Sequence, residues 1–134
     1  MLTQVSIFAE NKKGSMGQIT SLIAGAGINV SALVTNDSAE FGIVRLISDE
    51  PGRTEELLRN KGYMCRLDPV IAVNIGDEPG SLDRLLADIA ASNINIDYLY
   101  LSYNRELGNP IAVFHAHDFD EMEDYLSSKG FVVI

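Results

Sequence analysis

Two short stretches carry the residue types best placed for chemistry: Asn11-Lys12-Lys13-Gly14-Ser15-Met16 and Asp77-Glu78-Pro79-Gly80-Ser81-Leu82. Each follows an apolar run that reads as a strand, and each opens a segment with helical spacing. In both, a polar residue stands three positions before a glycine, and serine and a long apolar residue follow it. A strand-to-helix turn of this kind leaves the free backbone N–H groups of a helix N-terminus beside short polar side chains. That arrangement suits a small anion such as a carboxylate.

Other candidate chemistry is sparse. The only histidines, His115 and His117, lie two apart on an expected strand and so share a face, with Asp118 nearby. They could pair on a metal, but the matching positions in the first half, Ile47 and Asp49, offer no such pair, and the expectation is no metal and no cofactor. Cys65, the only cysteine, excludes an internal disulfide and reads as a small buried hydrophobe rather than a nucleophile. No Ser/His/Asp, Cys/His or paired-carboxylate set is placed for catalysis, so no enzymatic activity is expected.

The elements that position the two turns come as a repeat. A shift of 66 aligns Gly14-Ser15 with Gly80-Ser81, Ile23-Ala24 with Ile89-Ala90 and Ile28-Asn29 with Ile94-Asn95. A shift of 68 aligns Ile43 with Ile111, Glu55 with Glu123, Leu58 with Leu126 and Lys61-Gly62 with Lys129-Gly130. Identities at turn and cap positions, not only apolar ones, mark a duplication. In the first copy, strand Leu2–Ala9 precedes a helix with Ser15 as N-cap and Met16, Ile19, Leu22 and Ile23 at helical spacing. Strands over 28–35 and 41–48 form a hairpin about Asn36-Asp37-Ser38. A helix from Asp49 to Gly62 carries Leu57 and Leu58, and strand Tyr63–Leu67 closes the copy. In the second copy, strand Val70–Ile75 precedes a helix facing Leu82, Leu85, Leu86 and Ile89 inward. Strands over 94–102 and 111–116, a helix over 118–129 and a strand over 131–134 complete it. The predicted fold class is α+β: two tandem ferredoxin-like βαββαβ units, each an antiparallel sheet with helices on one face. They span residues 1–68 and 69–134, with Asp68-Pro69 as the boundary.

Charge narrows the partners. Residues 1–68 carry 7 Lys/Arg and 8 Asp/Glu, a net of −1, whereas residues 69–134 carry 3 and 11, a net of −8. With no Lys/Arg cluster, nucleic acid and anionic membranes are not expected partners. No apolar run approaches the length of a membrane span and no signal peptide is evident, which points to the cytoplasm. Within this fold, a copper carrier needs Cys-x-x-Cys in the first loop, an RNA binder needs exposed aromatics in basic surroundings, and an acylphosphatase-like enzyme needs a loop arginine. None is present.

The turn of residues 77–82, its helix, and Asn93-Ile94-Asn95-Ile96 opening the next strand resemble an ACT domain. So, less neatly, do residues 11–16 with Gly27-Ile28-Asn29-Val30, where Lys13 replaces the proline of the pattern. The resemblance covers the whole chain as two tandem copies. It implies a small-molecule sensor, commonly of free amino acids, that acts on a partner enzyme or regulator and pairs side by side as a homo-oligomer. Its ligand positions would be Asn11, Gly14, Ser15 and Met16 with Asn29, and Asp77, Gly80, Ser81 and Leu82 with Asn95. A zwitterion fits them physically: helix amides serve its carboxylate, and the Asn11, Asn29 and Asn95 carbonyls or the Asp77 carboxylate serve its ammonium. The alternative expectation is a constitutive protein–protein interaction module whose glycines serve only the turns.

Overall fold

The computed structural model describes residues 2–10, 12–35 and 41–134, with Phe41 described by its backbone alone. Along the chain run β1 (Leu2–Glu10), α1 (Ser15–Gly25), β2 (Val30–Thr35), β3 (Phe41–Ser48), α2 (Pro51–Asn60), β4 (Met64–Asn74), α3 (Ser81–Ala91), β5 (Ile96–Asn104), β6 (Asn109–Ala116), α4 (Phe119–Ser128) and β7 (Val132–Val133). The chain divides into two compact units: Thr3–Asp68, and Pro69–Ile134 together with Leu2. Each has the βαββαβ order of a ferredoxin-like unit. The turn expected at Asn36-Asp37-Ser38 lies outside the described residues.

In the first unit β1 is central, between β3 and β4, and β2 is the outer partner of β3. The β1/β3 and β2/β3 pairs are antiparallel. Alternation on β1 sends Val5, Ile7 and Ala9 into the core, where they meet Ile19 and Ile23 of α1 and Leu58 of α2. Thr54 is also fully buried on α2, its hydroxyl satisfied by Ser48 at 2.9 Å and by the Glu50 carbonyl at 2.8 Å. In the second unit the order is β7-β4-β6-β5, all antiparallel. Leu85 and Ile89 of α3 and Met122 and Leu126 of α4 pack on Ile71, Val73, Ala112 and Phe114 of the sheet.

Several expectations shift. The separate strands expected at Tyr63–Leu67 and Val70–Ile75 are one continuous strand, β4. Nothing at Asp68-Pro69 demands a turn: a residue before proline is pushed toward extended conformations, which a strand accepts. Strands β2 and β5 start two residues later than the spacing suggested, at Val30 and Ile96. Ser15 is not the N-cap of α1; Gly14 is. Met16, expected in the core, is 49% exposed, because it sits on the first helical turn ahead of the Ile19–Ile23 stripe. Leu86 is 39% exposed, one step of about 100° round the helix from the fully buried Leu85. Leu57 and Leu82 are half-buried.

Candidate functional site

The two strand-to-helix turns have the same backbone. Gly14 takes φ 87° and ψ −5°; Gly80 takes φ 91° and ψ −5°. Both lie in the left-handed region that suits glycine. In the first turn the Ser15 amide donates to the Lys12 carbonyl at 3.2 Å, and the helix ladder starts with the Gln18 amide on the Gly14 carbonyl at 2.9 Å. The second repeats this: Ser81 donates to the Glu78 carbonyl at 3.1 Å and Arg84 to the Gly80 carbonyl at 2.9 Å. Neither N-cap supplies a side-chain hydrogen bond. Among the described residues, the amides of Met16 and Gly17, and of Leu82 and Asp83, therefore have no acceptor. Each helix start presents two donors, together with the positive end of its dipole.

Beside each turn lies a cavity. The first, about 580 Å³, is bounded by Glu10, the turn from Lys12 to Gly17, Thr35 of β2 and Gly42–Val44 of β3. Lys12 is ion-paired with Glu10 at 3.0 Å. The second, about 520 Å³, is bounded by Asn74–Gly76, the turn from Glu78 to Ser81, Arg84, Asn109 and Gly130–Val132. There the Ser81 hydroxyl accepts from the Glu78 amide at 3.3 Å. Glycine at 76 makes room for it, since a Cβ there would stand 3.0 Å from Ser81 Oγ. The Arg84 guanidinium lies over the Phe131 ring at 4.8 Å.

Of the residues named from the sequence, Gly14, Ser15 and Met16 share the first cavity, and Gly80 and Ser81 share the second. Asn11 lies outside the described residues. Asp77 is exposed and Leu82 half-buried, and neither lines the second cavity. Asn29 and Asn95 are exposed at the helix-to-strand connections, away from the cavity of their own unit. The Asn29 amide donates to the Asp49 carboxylate at 3.1 Å and its carbonyl accepts from the Asp49 amide at 3.1 Å. The Asn95 carbonyl accepts from the His117 amide at 3.4 Å.

Sequence reasoning missed Arg84 and Thr35. The signal for Arg84 was available, because a residue four after the turn glycine lies on the first helical turn. Thr35 comes from β2, and no local pattern points to it. Away from the turns, Cys65 is buried with its thiol pushed above its ordinary range, chiefly by burial, and Sγ 3.6 Å from the Glu55 carbonyl. His115 and His117 do meet a carboxylate, but it is Asp97, not Asp118, which instead caps α4 by accepting from the Glu121 amide at 3.2 Å. Among the described residues, no helix is long and apolar enough to cross a membrane.

The family model described as an ACT domain pair matches residues 1–130. Protein BT0572 from Bacteroides thetaiotaomicron has a solved structure that superposes with a TM-score of 0.90 at 28% identity, covering 99% of this chain and 91% of that one. The regulatory subunit of aspartate kinase from Thermus thermophilus superposes with a TM-score of 0.63 at 18% identity, covering 84% and 80%. That from Thermus flavus gives 0.60 at 18%, with the same coverage. No curated protein matches. Two ferredoxin-like units, each with the same glycine-capped turn, thus agree with the family model along nearly the whole chain, and the protein belongs to the ACT domain pair family.

Proposed function

We propose that this protein is a regulatory sensor that binds a free amino acid at its glycine turns and passes the binding on to a partner enzyme or regulator. The observation that carries the reading is the recurrence of one turn in both units: a left-handed glycine N-cap, two amides without an acceptor and an adjoining cavity. The amides would take the carboxylate, and a side-chain carbonyl or carboxylate the ammonium. The residues proposed to bind are Asn11, Gly14, Ser15 and Met16 at the first turn and Asp77, Gly80, Ser81 and Leu82 at the second, with Asn29 and Asn95 as further ligand residues.

The sites would be unequal. The first turn carries Lys12 and Lys13, whereas the second carries Asp77 and Glu78 and repels an anion. The first is therefore the better carboxylate binder. The regulatory subunits of aspartate kinase with this fold support a role acting through a partner, and association of copies of the chain belongs to the same proposal.

Calorimetric titration with the proteinogenic amino acids tests the reading. At least one should bind, and its carboxamide analogue, lacking the carboxylate, should bind at least tenfold more weakly. A lost hydrogen bond to a charged group is worth about 1.5–3 kcal/mol. Silence across the whole set from folded protein would overturn the sensor reading in favour of a constitutive interaction module.

A further inference from the structure

Arg84 stands in the half of the chain that carries 11 Asp/Glu against 3 Lys/Arg, yet among the described residues it pairs with no carboxylate. Arg53, Arg59 and Arg66, in the first half, each meet one, at 2.9, 3.5 and 3.0 Å. Asp88, four residues further along α3, would be the ordinary helix partner. Instead the Arg84 guanidinium lies over the Phe131 ring, 4.8 Å from its centroid, and one nitrogen donates to the Lys129 carbonyl at 3.5 Å. Its other N–H donors stay uncommitted beside the second cavity. Glu78, on the turn, lines the same cavity, and among the described residues it too has no ion pair. Opposite charges that share a cavity without closing on each other complement a molecule that carries both.

The first unit shows that the fold asks for neither charge. A cavity of about 510 Å³ occupies the equivalent place there, bounded by Lys12, Gln18 and Tyr63 where the second unit has Glu78, Arg84 and Phe131. The Tyr63 hydroxyl donates to Gln18 Oε1 at 3.4 Å, so the contact between the helix start and the aromatic ahead of the closing strand is kept with neutral groups. Lys12 is neutralised by its ion pair with Glu10, whose equivalent in the second unit is Gly76. What recurs is an exposed apolar side chain at the rim: Met64, 72% exposed, in the first cavity of this kind and Val132, 58% exposed, in the second.

We propose that the second cavity binds a free amino acid with an apolar side chain, its carboxylate on Arg84, its ammonium on Glu78 and its side chain against Val132. The inference rests on the sensor reading and deepens it: where Asp77 and Glu78 repel an anion, Arg84 supplies the positive charge that the turn lacks. A guanidinium meets a carboxylate with two parallel N–H donors, and holding it over Phe131 beforehand lowers the ordering cost of binding. An anionic side chain would be repelled by Glu78 and is selected against.

Calorimetric titration of the full-length protein with valine, leucine, isoleucine, methionine and phenylalanine tests the proposal, and at least one should bind. Arg84→Gln places at an exposed position the residue type that the first unit carries there. It should weaken one site at least tenfold for that amino acid and leave binding of its carboxamide unchanged. Glu78→Gln should weaken the same site and leave binding of the N-acetyl derivative unchanged, with both variants folded by circular dichroism. Damage to the turn would instead weaken acid, carboxamide and N-acetyl derivative alike, and would overturn the charge assignment. Binding undiminished in either variant, or binding only of amino acids outside the apolar set, would overturn the inference and leave the sensor reading standing. Silence across all the proteinogenic amino acids would overturn both.

Discussion

Gly80→Ala and Gly17→Ala make the same chemical change, one added methyl, at two places in this fold, and they should shift stability in opposite directions. At Gly80 the methyl meets no atom within 4 Å, so sterics with the surroundings contribute nothing. The cost is conformational. At φ 91° an L-residue lies in the left-handed region, which is disfavoured by roughly 1–2 kcal/mol. Alanine also restricts the unfolded chain, a gain of about 0.4–1 kcal/mol where the native conformation suits it. The net is a loss of about 1 kcal/mol. Gly17 lies inside α1 without a positive φ, and its added methyl also meets nothing within 4 Å. There alanine should gain about 0.5–1 kcal/mol, the ordinary helical difference between the two residues. Urea denaturation followed by circular dichroism measures both, and unchanged m-values would show that the midpoint shifts report stability. Gly80→Asn should cost less than Gly80→Ala, because asparagine tolerates the left-handed region. A neutral or stabilising Gly80→Ala would refute the reasoning, since the turn would then not be held by a left-handed residue.

Two further outcomes follow from packing and from charge. Leu85→Ala should destabilise by about 2–5 kcal/mol, because Leu85 is fully buried among sheet and helix side chains, whereas Leu86→Ala, one residue away and exposed, should lie within about 0.5 kcal/mol of the parent. Comparable losses would show that the helix phase is wrong. Asp97 is held below its ordinary carboxylate range, first by the hydrogen bond from His115 and then by the charge of His117, against opposing desolvation. A carboxyl depressed on folding adds stability that is present above its unfolded pKa, about 3.9, and lost as pH falls through its lower folded value. Parent and Asp97→Asn should therefore differ in thermal scans at pH 5, and converge as pH falls through the lowered folded value of Asp97. A gap that persists or widens in acid would exclude an ionised Asp97 as its source.

The duplication was legible because it was written in residues that local geometry demands. Gly14 and Gly80 recur because the turn backbone needs a left-handed residue, and the Ile19–Ile23 and Leu85–Ile89 pairs recur because a helix four residues apart shows one face. What escaped depended on partners or on registry. The chain does divide into its two units between Asp68 and Pro69, but the break expected there in the strand is absent: the dipeptide is compatible with extended chain, and β4 runs through it. Plain strand alternation would put Asp97 on one face with Leu99 and Leu101; the register slip between Ile96 and Tyr98, a one-residue bulge at Asp97, breaks that rule, and no residue type announces it. Met16 carries the apolar character of a core position, but its place on the first turn of α1 leaves it at the cavity edge. Asn29 and Asn95 lie at recurrent positions by sequence, and their backbone bonds to Asp49 and His117 serve the start of the following strands.

Among the described residues, those ahead of each glycine join the turn through backbone atoms, and no side chain caps the helix start. The consequence is evolutionary. The residues ahead of the glycine are released from the task of holding the fold, so a duplicated gene can vary them while the two copies keep one shape. Asn-Lys-Lys in the first copy and Asp-Glu-Pro in the second record such divergence. A cationic turn and an anionic one thus stand on a single scaffold, and selection can act on three neighbouring codons without passing through an unfolded intermediate.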